Sequence, residues 1–178
     1  MMHFTADRKT WMSTADPVAP RLQLRHDLSI RRILDGSWWP RSRTTVTELT
    51  NLITALDARH LPIIRIMLNA DAWDEHPRRI NVAGRTIRLG WFTTLEACLL
   101  IATTNSDQRL DLLVIPPRIS ANAATAATTT AVDEGNTSRA EAIMAAVSPQ
   151  QPFSLPRPED IWESEGGRSY GHRAGMLS

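Results

Sequence analysis

The chain has 178 residues, 42% hydrophobic and 22% charged, with a formal net charge of +1. These values exclude a fibrous or wholly disordered chain, and no apolar run approaches the roughly 20 residues of a membrane helix. The single cysteine, Cys98, sits between apolar neighbours, which excludes a disulfide framework and fits a buried thiol in a reducing, cytoplasmic compartment.

Charge is unevenly spread. Residues 20–118 hold 14 arginines against 10 acids, whereas residues 119–178 hold 4 arginines against 7 acids. A mildly basic centre with an acidic tail suits weak binding of an anion. It falls short of the isoelectric point above about 9 that marks a nucleic-acid binder, so nucleic acid is disfavoured as a partner.

Residues 1–19 show no periodicity and read as a flexible arm without the apolar core of a signal peptide. Arg21 to Arg25 alternates strictly and predicts a short strand with Leu22 and Leu24 inward. Arg31 to Leu34 predicts a second strand, running into an Asp35-Gly36 turn. Trp38, Trp39 and Pro40 then form a corner, since proline has no N–H for strand pairing. A helix follows: Val46, Leu49, Leu52, Ile53 and Leu56 share one face, and Thr45 with Glu48 has the spacing of a capping box, with Ser42 and Thr44 competing as the N-cap.

Ile63 to Leu68 is nearly all apolar and predicts a central strand covered on both faces. Residues 69–77 form a polar loop with Trp73, Asp74, Glu75 and His76. Arg79 to Leu89 predicts a hairpin around Ala83-Gly84. That turn sets Ile80, Val82, Ile87 and Leu89 on one face and Arg79 opposite Arg88 on the other. Residues 96–102 and 109–115 predict a second hairpin, and Leu112 to Ile115 is apolar on both faces.

Ser120 to Val132, rich in Ala and Thr, reads as a weak helix capped by Ser120 or as low-complexity coil. Ser138 and Glu141 predict a capped final helix. Residues 148–178, with four prolines and scattered charge, read as a disordered tail. The fold class expected is therefore α+β. Residues 20–147 would form one domain: a mainly antiparallel sheet of about five to seven strands, one helix after the Trp-Trp-Pro corner and two C-terminal helices.

Nucleophile-elbow, phosphate-loop, dinucleotide-binding and paired-histidine metal motifs are absent, and the motifs call for no cofactor or metal. The strongest binding chemistry lies in Trp38, Trp39, Arg41 and Arg43. Adjacent residues of an extended segment cannot both point inward, so one indole would stay near two guanidinium groups. If Trp73, Arg79 and Arg88 converge there, the result is an aromatic and arginine surface for an anionic small molecule or protein partner. The structural alternative has one tryptophan cap the core and the other pack on the helix N-terminus. An enzymatic alternative uses Asp74 and His76 with Asp35. A third is a regulatory or stress-linked partner protein that makes contact through its acidic tail.

Several runs together carry a resemblance. They are Leu34-Asp35-Gly36-Ser37-Trp38-Trp39-Pro40-Arg41-Ser42-Arg43, Trp73 with Pro77-Arg78-Arg79, Ile87-Arg88-Leu89-Gly90, and Leu112-Leu113-Val114-Ile115-Pro116-Pro117. The segment from Pro20 to Val147 resembles a small family of unknown function from high-GC Gram-positive bacteria. The resemblance implies a fold and a compartment, and no activity. The Ala/Thr-rich segment 121–131 departs from it, because relatives look more charged there.

Overall fold

Helix α1 (Thr45–Asp57) buries the face that its spacing requires, with Leu49, Leu52, Ile53 and Leu56 removed from solvent. Each such side chain stabilises the fold by about 1.5–3 kcal/mol relative to its exposed state. What the helix covers is one mixed sheet. The computed structural model describes residues 10–12 and 19–148, so most of the expected arm and nearly all of the expected tail lie outside the described residues.

The strands are β1 (Thr10–Met12), β2 (Arg21–Leu24), β3 (Gly36–Trp39), β4 (Ile63–Asn69), β5 (Arg79–Val82), β6 (Arg85–Phe92), β7 (Leu99–Thr104) and β8 (Arg109–Val114). Helices α2 (Ala121–Val132) and α3 (Ala140–Val147) follow. The spatial order is β1-β5-β6-β4-β7-β8-β3-β2. The class is α+β with three helices, as expected, and four of the seven ladders are antiparallel. The other three, β1–β5, β4–β6 and β3–β8, are parallel. Strand β1 falls inside the segment read as an unstructured arm and extends one edge of the sheet.

Alternation sorts side chains into two cores. Trp38, Ile66, Leu68, Ile80, Ile87, Leu100, Leu110 and Leu112 pack with α1. Leu113, Ile115 and Cys98 pack with Ala124, Ala127 and Ala131 of α2 and with Ile143 and Met144 of α3. Strand β8 feeds both, which is why Leu112, Leu113 and Val114 are apolar in succession. The Ala/Thr segment is helical, capped by Ser120 Oγ accepting Ala123 N–H at 3.2 Å. Its alanines let it lie close on β3, where Ser37 Oγ meets Thr128 Oγ1 at 3.0 Å.

Both predicted hairpins form. At the first, Ala83 (φ 51°) and Gly84 (φ 77°) both take the positive φ of a type I′ turn. Four local expectations need correction. The second strand lies at Gly36–Trp39, not at Arg31–Leu34. Strand β4 is covered on one face only, because a bulge between Ile63 and Arg65 leaves Ile64 and Arg65 exposed. Of the candidate caps of helix α1, Thr44 takes the N-cap position without a side-chain bond, and the Thr45–Glu48 capping box does not form, because Thr45 N–H donates to Glu75 Oε2 at 3.0 Å instead. A carboxylate there also complements the helix dipole. The cap of α3 is Arg139 without a side-chain bond, not Ser138.

Gly36 is not a turn residue. It lies in β3 opposite Leu24, where an added Cβ would stand 2.3 Å from the Gln23 carbonyl oxygen and 2.9 Å from Leu24 Cα. Both are backbone atoms that cannot swing aside. Gly36→Ala is expected to lower unfolding free energy by about 1–3 kcal/mol, the usual cost of overpacking. Denaturant unfolding checks this, and an unchanged midpoint would dismiss the steric account. Ala83→Asn, tolerant of positive φ, is expected to raise the midpoint slightly in the same assay.

Candidate functional site

The aromatic residues singled out by sequence take core positions. Trp38 is fully buried and stacks on Trp73, with ring centroids 5.5 Å apart and planes at 15°. Its indole N–H has no hydrogen-bond partner among the described residues. Trp39 points to the opposite core, where its Nε1 donates to the Pro116 carbonyl at 3.0 Å. The Arg21 guanidinium covers its ring at 3.5 Å from the centroid. The neighbouring arginines act as braces. Arg41 donates to the Ala19 carbonyl, and Arg43 donates to the Ala72 and Asp71 carbonyls and lies 3.7 Å from Asp74.

Asp35, Asp74 and His76 are not brought together. Asp74 is exposed beside Arg43. His76 is exposed, with a ring nitrogen on the Ala70 carbonyl and its ring edge against Trp91. Asp35 is buried elsewhere, accepting Asp111 N–H at 2.9 Å and lying 3.5 Å from Arg25. Burial raises its pKa, and the Asp111 carboxylate adds to the rise against the Asp111 N–H and Arg25. Among the described residues no group of three or more His, Cys, Asp and Glu is placed to hold a metal ion. No described helix is long and apolar enough to cross a membrane.

Arg79 and Arg88 do meet, in the register expected, and a third arginine joins them. Arg79 pairs with Arg88 across β5–β6, and Arg88 pairs with Arg65 across β6–β4. The row continues through Thr103 on β7 to Arg109 on β8. Ile80, Ile87, Leu89 and Ile66, their sequence neighbours, all face α1, so these arginines share the opposite face. All four are exposed. Arg109 is neutralised by Asp111, with contacts of 2.6 and 3.0 Å. The side chains of Arg65, Arg79 and Arg88 have no hydrogen bond or ion pair among the described residues.

One register along lies an apolar strip. Gly90 pairs with Met67, and Met67 with Ile101. The Phe92 ring covers Gly90, where a Cβ would stand 2.9 Å from Phe92 Cε2, and Phe92 itself is exposed. Beyond Arg109 the face runs into a cleft of about 290 Å³ lined by Arg31, Arg32, Arg139, Glu96, Asp111 and Leu99.

Sequence reasoning missed Arg65, Arg31, Arg32 and Arg139 as parts of this surface. The only signal for Arg65 was one charge inside an apolar strand. Its meaning depends on the parallel β4–β6 register, which no turn connects. Arg31 and Arg32 were read as strand residues.

The chain belongs to a family of unknown function, DUF5994, which matches residues 21–131. That span includes Arg65, Arg79, Arg88 and Arg109, while α3 lies beyond it. No curated protein and no solved structure matches the chain.

Cys98, inside the matched span, is buried against the α2–α3 core. Burial pushes its thiol up to about 12, and the Glu96 and Glu141 carboxylates add to the shift. A raised thiol pKa means the folded state holds its proton longer than the unfolded state. Its contribution to stability is therefore present at neutral pH and is lost as pH rises from the unfolded value of about 8.5 toward 12. The folded protein at pH 8 is expected to resist a thiol reagent that labels it fully in denaturant. Rapid labelling of the folded form would contradict the buried placement.

Proposed function

We propose that residues 20–147 form a non-catalytic binding module in the cytoplasm, which holds an anionic partner on the open half of its sheet. The observation that carries the reading is the row Arg79–Arg88–Arg65, three guanidinium groups on adjacent strands without an acid among the described residues. Adjacent strands lie about 4.8 Å apart, so the row presents positive charge at regular steps over roughly 10 Å. Like charges directly opposite each other oppose folding by a few tenths of a kcal/mol per pair. A bound anion removes that repulsion and gains charge-assisted, often bidentate hydrogen bonds.

The reading keeps Arg79 and Arg88 from the surface expected of the sequence and adds Arg65. It leaves the Trp38–Trp73 stack and Trp39 as the packing that supports the sheet. The lone cysteine supports the cytoplasmic assignment.

Tripolyphosphate serves as a probe in isothermal titration calorimetry at low ionic strength. Binding is expected for the full chain, weakened by added salt as screening sets in. Arg88→Glu is expected to reduce affinity about tenfold or more, since a hydrogen bond to a charged group is worth about 1.5–3 kcal/mol. Arg59→Glu, which changes an exposed arginine outside the row, is expected to leave it nearly unchanged. Equal losses in the two variants would mean diffuse charge attraction and sink the reading.

A further inference from the structure

The chain itself carries a segment that matches the arginine row. Glu159-Asp160-Ile161-Trp162-Glu163-Ser164-Glu165 places four carboxylates within seven residues, around an Ile-Trp pair. The sheet face presents the complement: Arg79, Arg88 and Arg65, whose side chains have no partner among the described residues, with exposed Phe92 and half-buried Met67 one register along. We infer that this acidic segment docks on the row within the same chain, its carboxylates on the guanidinium groups and its Ile-Trp pair on the Phe92–Met67 strip. The inference rests on the anion-binding reading above and names the first occupant of that site.

Reach and local concentration favour it. Helix α3 begins at the cleft, where Arg139 and Ala140 meet Asp111, and Asp111 is two residues from Arg109 at the end of the row. Ten residues, 149–158, lie between Ser148, the last described, and Glu159. Eleven residue steps of any polypeptide reach at most roughly 36 Å. Helix α3, 8 residues and about 12 Å long, sets Ser148 back from the cleft, and that length together with the width of the row, about 19 Å across four strand spacings, stays within this reach. A tether of this length holds the segment at an effective concentration on the order of millimolar. Weak ion pairs then suffice for occupancy, and a free anion has to displace the segment.

Two measurements on the full chain test it. In the first, Glu159, Asp160, Glu163 and Glu165 are all changed to Gln, which removes the charge and keeps the length. Tripolyphosphate affinity is expected to rise about fivefold or more, because the internal competitor is gone. In the second, Arg88→Lys places an amine in the row of a protein whose other lysine is Lys9 alone. A carbodiimide is expected to condense that amine with a carboxylate of residues 159–165 in a product of monomer mass. Cross-links of dimer mass only, growing with protein concentration, would assign the segment to a second copy and overturn the intramolecular contact. Unchanged affinity together with no cross-link would also overturn it. If Arg88→Glu fails to weaken tripolyphosphate binding, the anion-binding reading falls. If that binding holds and only the tail measurements fail, the inference alone falls.

Discussion

Successive side chains of an extended strand point to opposite faces, and the rest of this structure follows from how that rule acts on β3. Trp38 goes to the α1 side and stacks on Trp73, while Trp39 goes to the α2 side and bonds to Pro116. With both faces of β3 and its neighbour β8 occupied, the sheet needs helices on both sides there. Two packed helices, each about 10 Å across, shield roughly four strands spaced 4.8 Å apart. An eight-stranded sheet is about twice that width. The second helical layer therefore runs out before β4, β6 and β5, and their outer face is left to polar residues. The arginine row lies where the α2–α3 layer ends.

The opposite, β2 side of the layer is held by an ion cluster around a buried arginine. The Arg25 side chain is removed from solvent and reaches Glu134 at 3.0 Å, the Ile30 carbonyl at 2.7 Å and Asp35 at 3.5 Å. It joins β2, the loop before β3 and the loop after α2. Such a cluster contributes little net stability, because desolvation offsets the attraction, but removing one partner strands the other charge. Its effect is to fix where the 25–35 loop lies, and with it Arg31 and Arg32 at the rim of the cleft.

Local features were legible in the sequence because their determinants are local. The α1 face, both hairpins, the Arg79–Arg88 register and the two-sided apolarity of β8 come from spacing within about twenty residues. The contacts that define the site cross longer distances. Arg65 meets Arg88 only through a parallel pairing, and Glu75 rather than Glu48 satisfies Thr45 N–H because the 69–77 loop folds back over α1. Asp35 beside Gly36 spells a turn in the sequence. The true constraint on Gly36, the backbone of β2, is invisible without the β2–β3 pairing. The two adjacent tryptophans drew attention as surface chemistry, yet a strand buried on both faces consumes both.

The parallel β3–β8 ladder also sets the order in which the chain can fold. Gly36 and Leu112 are partners 76 positions apart, so their pairing carries the entropy of closing a long loop. The β5–β6 and β7–β8 hairpins close far shorter ones and are free to form first. Proteins whose contacts are this distant in sequence fold on slower timescales than those built from local ones. During synthesis at about 5–20 residues per second, β3 waits several seconds for β8 to be made. Through that interval two of the largest apolar side chains in the chain lack one of the strands that will enclose them. The newborn protein is thus most prone to wrong association before its eighth strand leaves the ribosome.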